Sequence, residues 1–364
     1  DAAWYFEDSI SLSNGTEVRK ARLAIKTTLW KNWATEFDIG FEDNEVDIKD
    51  FWVGYYFNKQ QTHIKIGNFK EPFGMEDPTS SRYFTFMERS YASQTISPSR
   101  HLGLALTHFN KYFWISAGIF GEEITNEKDK ADEMEDDDEG YAFTSRFVSF
   151  PVKKEGLVLH LGIAASHRTA DANGSDIRTL RLRCRPETHI EKNYFLNTGS
   201  ISHIKSHFSY GLEAAFSYKF LRMQSEYMHM DVKRENGLED LSFDGSYVLL
   251  AGILTGEHYH YWPSQAEFGR IIPQHKYGAL EVAFRYSTMD LNNREALIMG
   301  GEAENLSFGI NWYANASIRF MLNYTIVNND RFANGNGEFI VPLGEKGEGG
   351  EDFSFLQVRL QALF

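Results

Sequence analysis

The chain has 364 residues, 42% of them hydrophobic and 15% aromatic, and a formal net charge of −14. The acidic balance argues against non-specific nucleic-acid binding, and no window approaches the roughly 18 consecutive apolar residues of a membrane helix. A mean hydropathy of −0.42 reads as soluble, but in a membrane barrel only alternate residues face lipid, so mean hydropathy stays low there too.

Ala3 to Ser13 alternates weakly and reads as a first strand or an N-terminal arm. From Glu17 the period of two is clear. Ala21, Leu23, Ile25 and Leu29 fall on one face; Lys20, Arg22, Lys26 and Thr28 fall on the other. Strands follow through Trp33–Phe41 and Phe51–Phe57, separated by tight turns. Next comes Ile64 to Leu106, which opens and closes as strand and is long and irregular between. Its middle, Lys70 to Ser99, holds three prolines and enough aromatic side chains to pack on itself, and the whole stretch is cationic through Lys70, Arg82, Arg89 and Arg100. A loop of this kind suits a plug or constriction inside a barrel.

Two further strands lead to residues 122–140, a charge run that reads as a solvated acidic extracellular loop. It matches no EF-hand spacing for calcium; a looser role in binding divalent cations near lipopolysaccharide is the alternative. Strands resume at Tyr141–Phe150 and Leu157–His167. In Thr179 to Arg185, Arg181, Arg183 and Arg185 share one face and Leu180, Leu182 and Cys184 the other. That pattern predicts a strand. Later strands are expected near Ser206–Ser217, Phe220–Asp231, Ser246–Thr255, Tyr277–Met289, Leu306–Tyr313 and Ser317–Val327, and the C-terminal run through Phe364 reads as a closing wall strand. Seventeen or eighteen strand-like runs are visible, with Ala3–Ser13 and Asn193–Ile204 the weakest.

Strands this long suit a membrane barrel, whose spans need about 9–11 residues at a tilt. Soluble sandwiches use shorter strands. The expected fold is all-β: one transmembrane antiparallel barrel over residues 1–364, of 16–18 strands, with residues 70–99 folded into the lumen. If the apolar faces meet lipid, the polar faces line the pore. That directs Lys20, Arg22, Lys26, Lys65, Arg181, Arg183, Arg185, Arg285, Arg319 and Arg359 inward. Arginine stays charged, and its planar fork fits oxyanions. A series of weak cationic sites lets an anion pass without being trapped. Glu36, Asp38, Glu213 and Glu281 are available to pair some of these cations. His258, His260 and His275 near Glu257 match no zinc spacing, and no Ser–His–acid set stands out. No metal, cofactor or enzymatic activity is expected. A single cysteine excludes an internal disulfide framework, and the start at Asp1 reads as a mature form whose leader was removed.

The run Phe69-Lys70-Glu71-Pro72-Phe73-Gly74, with Thr79-Ser80-Ser81-Arg82-Tyr83 and Thr85-Phe86-Met87-Glu88-Arg89-Ser90, resembles the phosphate-selective porin O and P family. Arg19–Leu23, Arg185-Pro186-Glu187, Thr255-Gly256-Glu257 and Gly309–Tyr313 extend the resemblance along the chain. It implies an outer-membrane barrel of about sixteen strands in a Gram-negative bacterium, usually a homotrimer, passing inorganic anions such as phosphate. It also implies lumenal arginine rows and lysines near the constriction, carried here onto Arg19 to Arg22, Arg181 to Arg185 and Lys70. A weakly selective small-solute porin, or a structural or adhesive barrel, are the alternatives.

Overall fold

The alternating stretches form long antiparallel strands in the computed structural model, which describes residues 1–6, 12–42, 45–57, 61–124, 140–170, 177–333, 350 and 352–363. Among the described residues, sixteen wall strands run in chain order. The first eight are β1 (Ala2–Phe6), β2 (Gly15–Thr16, resuming at Arg22–Leu29), β3 (Trp33–Glu42), β4 (Glu45–Phe57), β5 (Thr62–Lys70), β6 (Arg100–Phe109), β7 (Phe113–Phe120) and β8 (Ala142–Lys154). The remainder are β9 (Leu157–Thr169), β10 (Ile204–Tyr218), β11 (Leu221–Arg234), β12 (Leu241–Ile253), β13 (Ala279–Asn293), β14 (Ile298–Tyr313), β15 (Ile318–Asn329) and β16 (Phe353–Ala362).

Each wall strand pairs with its chain neighbour. The ladder returns on itself, because β1 pairs with β2 through Ala2↔Thr16 and with β16 through Ala2↔Val358. Such closure removes sheet edges, as a lipid environment requires. Outward side chains are apolar and exposed, Leu23 at 58% and Ile25 at 60% among them. The longest connections, 71–99 and 170–203 among them, fall at one end of the wall and mostly short turns at the other. Residues 254–278 are a long connection at the short-turn end that turns back inside the wall.

The buried apolar residues lie inside this wall. The segment 71–99 fills one side of the lumen and carries a 3-10 turn at Ser81–Tyr83 and a short helix, α1 (Tyr91–Thr95), capped by Ser90. Phe73, Tyr91, Ala92 and Ile96 pack with Met228, Phe243, Met289 and Phe355 of the far wall. Residues 254–278 contribute Tyr259, Tyr261, Ala266 and Phe268 to a second cluster with Met75, Phe86 and Trp114.

The structure corrects one expectation. Thr179 to Arg185 is not a wall strand. It forms two short ribbons, Thr179–Leu180 with Ile201–Ser202 and Arg183–Cys184 with Leu196–Asn197, within the 170–203 connection. Its alternation is real, but the apolar face is used against the core: Leu182 and Cys184 join the cluster around α1. A two-residue period reports one buried face without saying what buries it. Asn193–Ile204, the weak candidate, supplies the partner ribbons. The centre of the acidic run, 125–139, lies outside the described residues.

Candidate anion pathway

One stretch of wall has an open inner face. Every residue of Arg22–Leu29 in β2 is exposed, whereas β10 alternates buried and exposed. The in-folded segments pack on the far wall, while the inward residues Glu36, Asp38 and Trp52 of β3 and β4 and His63 and Asn68 of β5 are buried. Lys20, between the two parts of β2, lies on this side of the lumen with Arg22 and Lys26 of β2, Lys65 and Lys70 of β5, Arg89 of the in-folded segment 71–99 and Arg100 of β6.

Their partners differ. Lys26 pairs with Glu36 at 2.6 Å and Arg100 with Asp50 at 2.7 Å. The Lys70 ammonium donates to the carbonyls of Asp77 and Thr79, and Arg89 meets the Asp77 carboxylate at 3.3 Å. Lys20 and Lys65 have no ion pair among the described residues. Lys65 Nζ sits 4.3 Å from the centroid of the Trp52 ring, and Lys20 Nζ sits 5.9 Å from that of Phe84, which Arg89 shares at 4.7 Å. An aromatic face steadies a cation by roughly 0.5–1 kcal/mol at exposed sites and leaves its N–H donors available. Sequence reasoning missed these rings, because Trp52 and Phe84 read as ordinary apolar positions.

Carboxylates interrupt the cations. Oxygens of Glu36, Asp38 and Asp50 lie within 4.8 Å of one another. Asp38 Oδ1 is buried without a hydrogen-bond partner. Above them, Glu88 is held by Arg19 at 2.9 Å and by Arg359 at 2.9 Å. Burial alone would raise the Glu88 carboxyl, but Arg19, Lys20 and Arg359 hold it well below the usual range.

Other inward cations hold the in-folded segments in place. Arg285 donates to Glu187 at 2.7 Å and to the Glu88 carbonyl at 2.9 Å. Arg319 donates to the carbonyl of Phe84 at 2.6 Å, and Arg359 to that of Met87 at 2.7 Å. Glu226 accepts the backbone N–H groups of Met75 and Glu76, both at 2.7 Å. Arg181, Arg183 and Arg185 stand apart in the 170–203 connection. Arg183 and Arg185 stack on the same ring, Tyr194, at 4.4 and 4.8 Å, and Arg181 donates to Asn197 at 3.0 Å.

Where residues 254–278 meet the constriction segment, Trp262 packs edge-on against Tyr83 at 5.2 Å. Beside them Glu267 is buried. Burial pushes its carboxyl up to about 7, against the opposing pull of Thr79, Lys70 and Arg146. A raised carboxyl takes up its proton on folding, so its contribution to stability is present at low pH and fades as pH rises from about 4.5 to about 7. Deprotonation also places a negative charge near Lys70. Chloride conductance is expected to fall as pH rises through 7, and Glu267→Gln to flatten that dependence. A pH profile that survives Glu267→Gln assigns it to another group.

A model of the phosphate-selective porin O and P family matches residues 5–361. Porin O of Pseudomonas aeruginosa is 27% identical over 355 residues, covering 88% of this chain and 78% of the relative. An uncharacterized protein of Caulobacter vibrioides is 28% identical over 323 residues, covering 87% of this chain and 63% of the relative. The anion-selective porin from Comamonas acidovorans has a similar fold, with a TM-score of 0.58 at 12% identity and coverage of 100% and 96% of the two chains. So does the outer-membrane protein OmpT of Vibrio cholerae in its trimer form, with a TM-score of 0.55 at 12% identity and coverage of 99% and 96%. With the wall closed and an open cationic face on one side of its lumen, the chain belongs to the phosphate-selective porin O and P family and is an anion porin of the Gram-negative outer membrane.

Proposed function

We propose that phosphate and related oxyanions diffuse along the open face of β2 to β5, handed between Lys20, Arg22, Lys26, Lys65 and the cations of the constriction segment. The observation that carries this reading is the pair of unpaired ammoniums, Lys20 and Lys65, held against aromatic rings on the open inner face. Arg181, Arg183 and Arg185, stacked in the 170–203 connection, act earlier as a capture site for anions entering from the long-loop end. The carboxylates Glu36, Asp38 and Asp50 favour a second reading, a porin with weak preference among anions. Net charge does not decide between them, because the low-dielectric walls of a narrow section focus the local field.

The test is planar-bilayer reversal potential in a potassium chloride gradient, with block of chloride current by added phosphate. Lys20→Gln with Lys65→Gln is expected to keep the barrel folded and to weaken phosphate block by roughly tenfold, about 1.4 kcal/mol. Unchanged block in the double variant would end the proposed route; unblocked chloride current in the unmodified protein would favour the weakly selective reading. We also propose a homotrimer, in contact with lipid and lipopolysaccharide, supported by the trimeric form of the similar fold. Light scattering in detergent measures it.

A further inference from the structure

At the short-turn end, beneath the segment 71–99, lies an open recess. Four guanidiniums line it, from four different parts of the chain: Arg82 of the constriction segment, Arg222 of β11, Arg270 of the 254–278 connection and Arg319 of β15. One carboxylate, Glu281, lines it as well. That carboxylate is already engaged, accepting from the Tyr259 hydroxyl at 2.7 Å, Asn311 at 2.8 Å and the Tyr313 hydroxyl at 3.0 Å. Arg319 approaches it only to 4.0 Å.

The recess is therefore a concentration of positive charge with little to neutralise it. Arg222 and Arg319 are 7% and 4% exposed, and in each the Nε is buried with no hydrogen-bond partner. Both are backed by rings, Arg222 at 4.9 Å from Tyr259 and Arg319 at 4.6 Å from Tyr313. An unmet buried donor is costly; the other guanidinium nitrogens are met, Arg319 donating to the carbonyls of Phe84 and Thr85 and Arg222 to the Thr85 hydroxyl. Arg270 is exposed and pairs with no acid among the described residues. Guanidiniums converging from several directions match the oxygens of a small tetrahedral anion.

We infer that this recess is a second oxyanion site, joined through Arg82 to the proposed route along β2 to β5, which holds a phosphate-class anion at the short-turn mouth before release. The inference rests on the anion-porin reading. A station at the exit lets the last channel site empty onto a neighbouring site, which suits transport through several weak sites in series.

The test uses the full protein in planar bilayers, inserted from one side so that the channels share an orientation. Inorganic phosphate is added to each side in turn, and block of chloride current is measured. Arg270→Gln is expected to weaken block from the short-turn side roughly three- to tenfold, the scale of one lost charge-assisted hydrogen bond partly screened by solvent. Block from the long-loop side is expected to change less than about twofold. Arg222→Gln should act in the same direction. It also removes a contact to Thr85, so its heat-modified gel mobility must show an intact barrel. Exposed Arg270 anchors nothing and keeps the test decisive. No change in Arg270→Gln, or an equal change from both sides, overturns the inference. A cation-selective reversal potential in the unmodified protein would instead overturn the anion-channel reading, whatever the sidedness of block.

Discussion

Replacing Arg285 with methionine is expected to release the constriction segment and destabilise the protein by about 3–5 kcal/mol, the scale of breaking a buried ion pair from one side. The Arg285 side chain is 2% exposed and its partner Glu187 1%. The same guanidinium reaches Glu76 at 3.4 Å and the carbonyl of Glu88. It thus joins the wall, the constriction segment and the 170–203 connection at one point. Arg285→Met leaves the Glu187 charge buried and unpaired, with Glu76 weakened. Single-channel conductance should rise as the plug loosens, and the temperature of heat modification should fall. Removing both charges, as Arg285→Met with Glu187→Leu, should recover part of the lost stability, because a well-packed apolar pair can replace a buried ion pair at little cost. Equal losses in the single and double variants would show that the ion pair is not what holds the segment.

This anchor shows where the sequence was legible and where it was not. The two-residue alternation at Arg285, Arg319 and Arg359 directs these side chains inward, and inward is where they lie. What each meets there depends on residues far away in the chain: Glu187, Phe84, Met87. A strand's period fixes the face, but not the loop that comes to cover it. The same limit misplaced Arg181 to Arg185, whose apolar face packs on α1 and not on lipid. Proline, glycine and aromatic content marked 70–99 as an in-folding loop, since a long ordered loop must bury its apolar side chains somewhere. Residues 254–278 carry a similar aromatic content in Tyr259, Tyr261, Trp262 and Phe268, but it is interspersed with His258, His260 and His275 and has no strand period to place it. The open face along β2 has no sequence signature at all. It exists because the plugs fill the opposite side.

The second large effect is expected at Gly74. Its φ is +67°, and a Cβ built there would lie 2.5 Å from Glu226 Oε2 and 2.9 Å from Met228 Cε. The Glu226 carboxylate cannot move aside cheaply. It accepts N–H from Met75 and Glu76 and the Tyr247 hydroxyl at 2.6 Å, and these bonds pin the constriction segment to the far wall. Gly74→Ala adds left-handed backbone strain of about 1–2 kcal/mol to the loss of a hydrogen bond worth about 0.5–1.5 kcal/mol. The segment should detach from Glu226, widening the pore and drawing Lys70 and Arg89 away from the open face. Conductance is then expected to rise while anion selectivity falls. Gly237 provides the control, with φ +71° and nothing within 4 Å of a built Cβ. Gly237→Ala carries the backbone strain alone, so it should lower stability slightly and leave the reversal potential where it was. If Gly74→Ala behaves like Gly237→Ala in the bilayer, close packing against Glu226 is not what sets the position of the constriction.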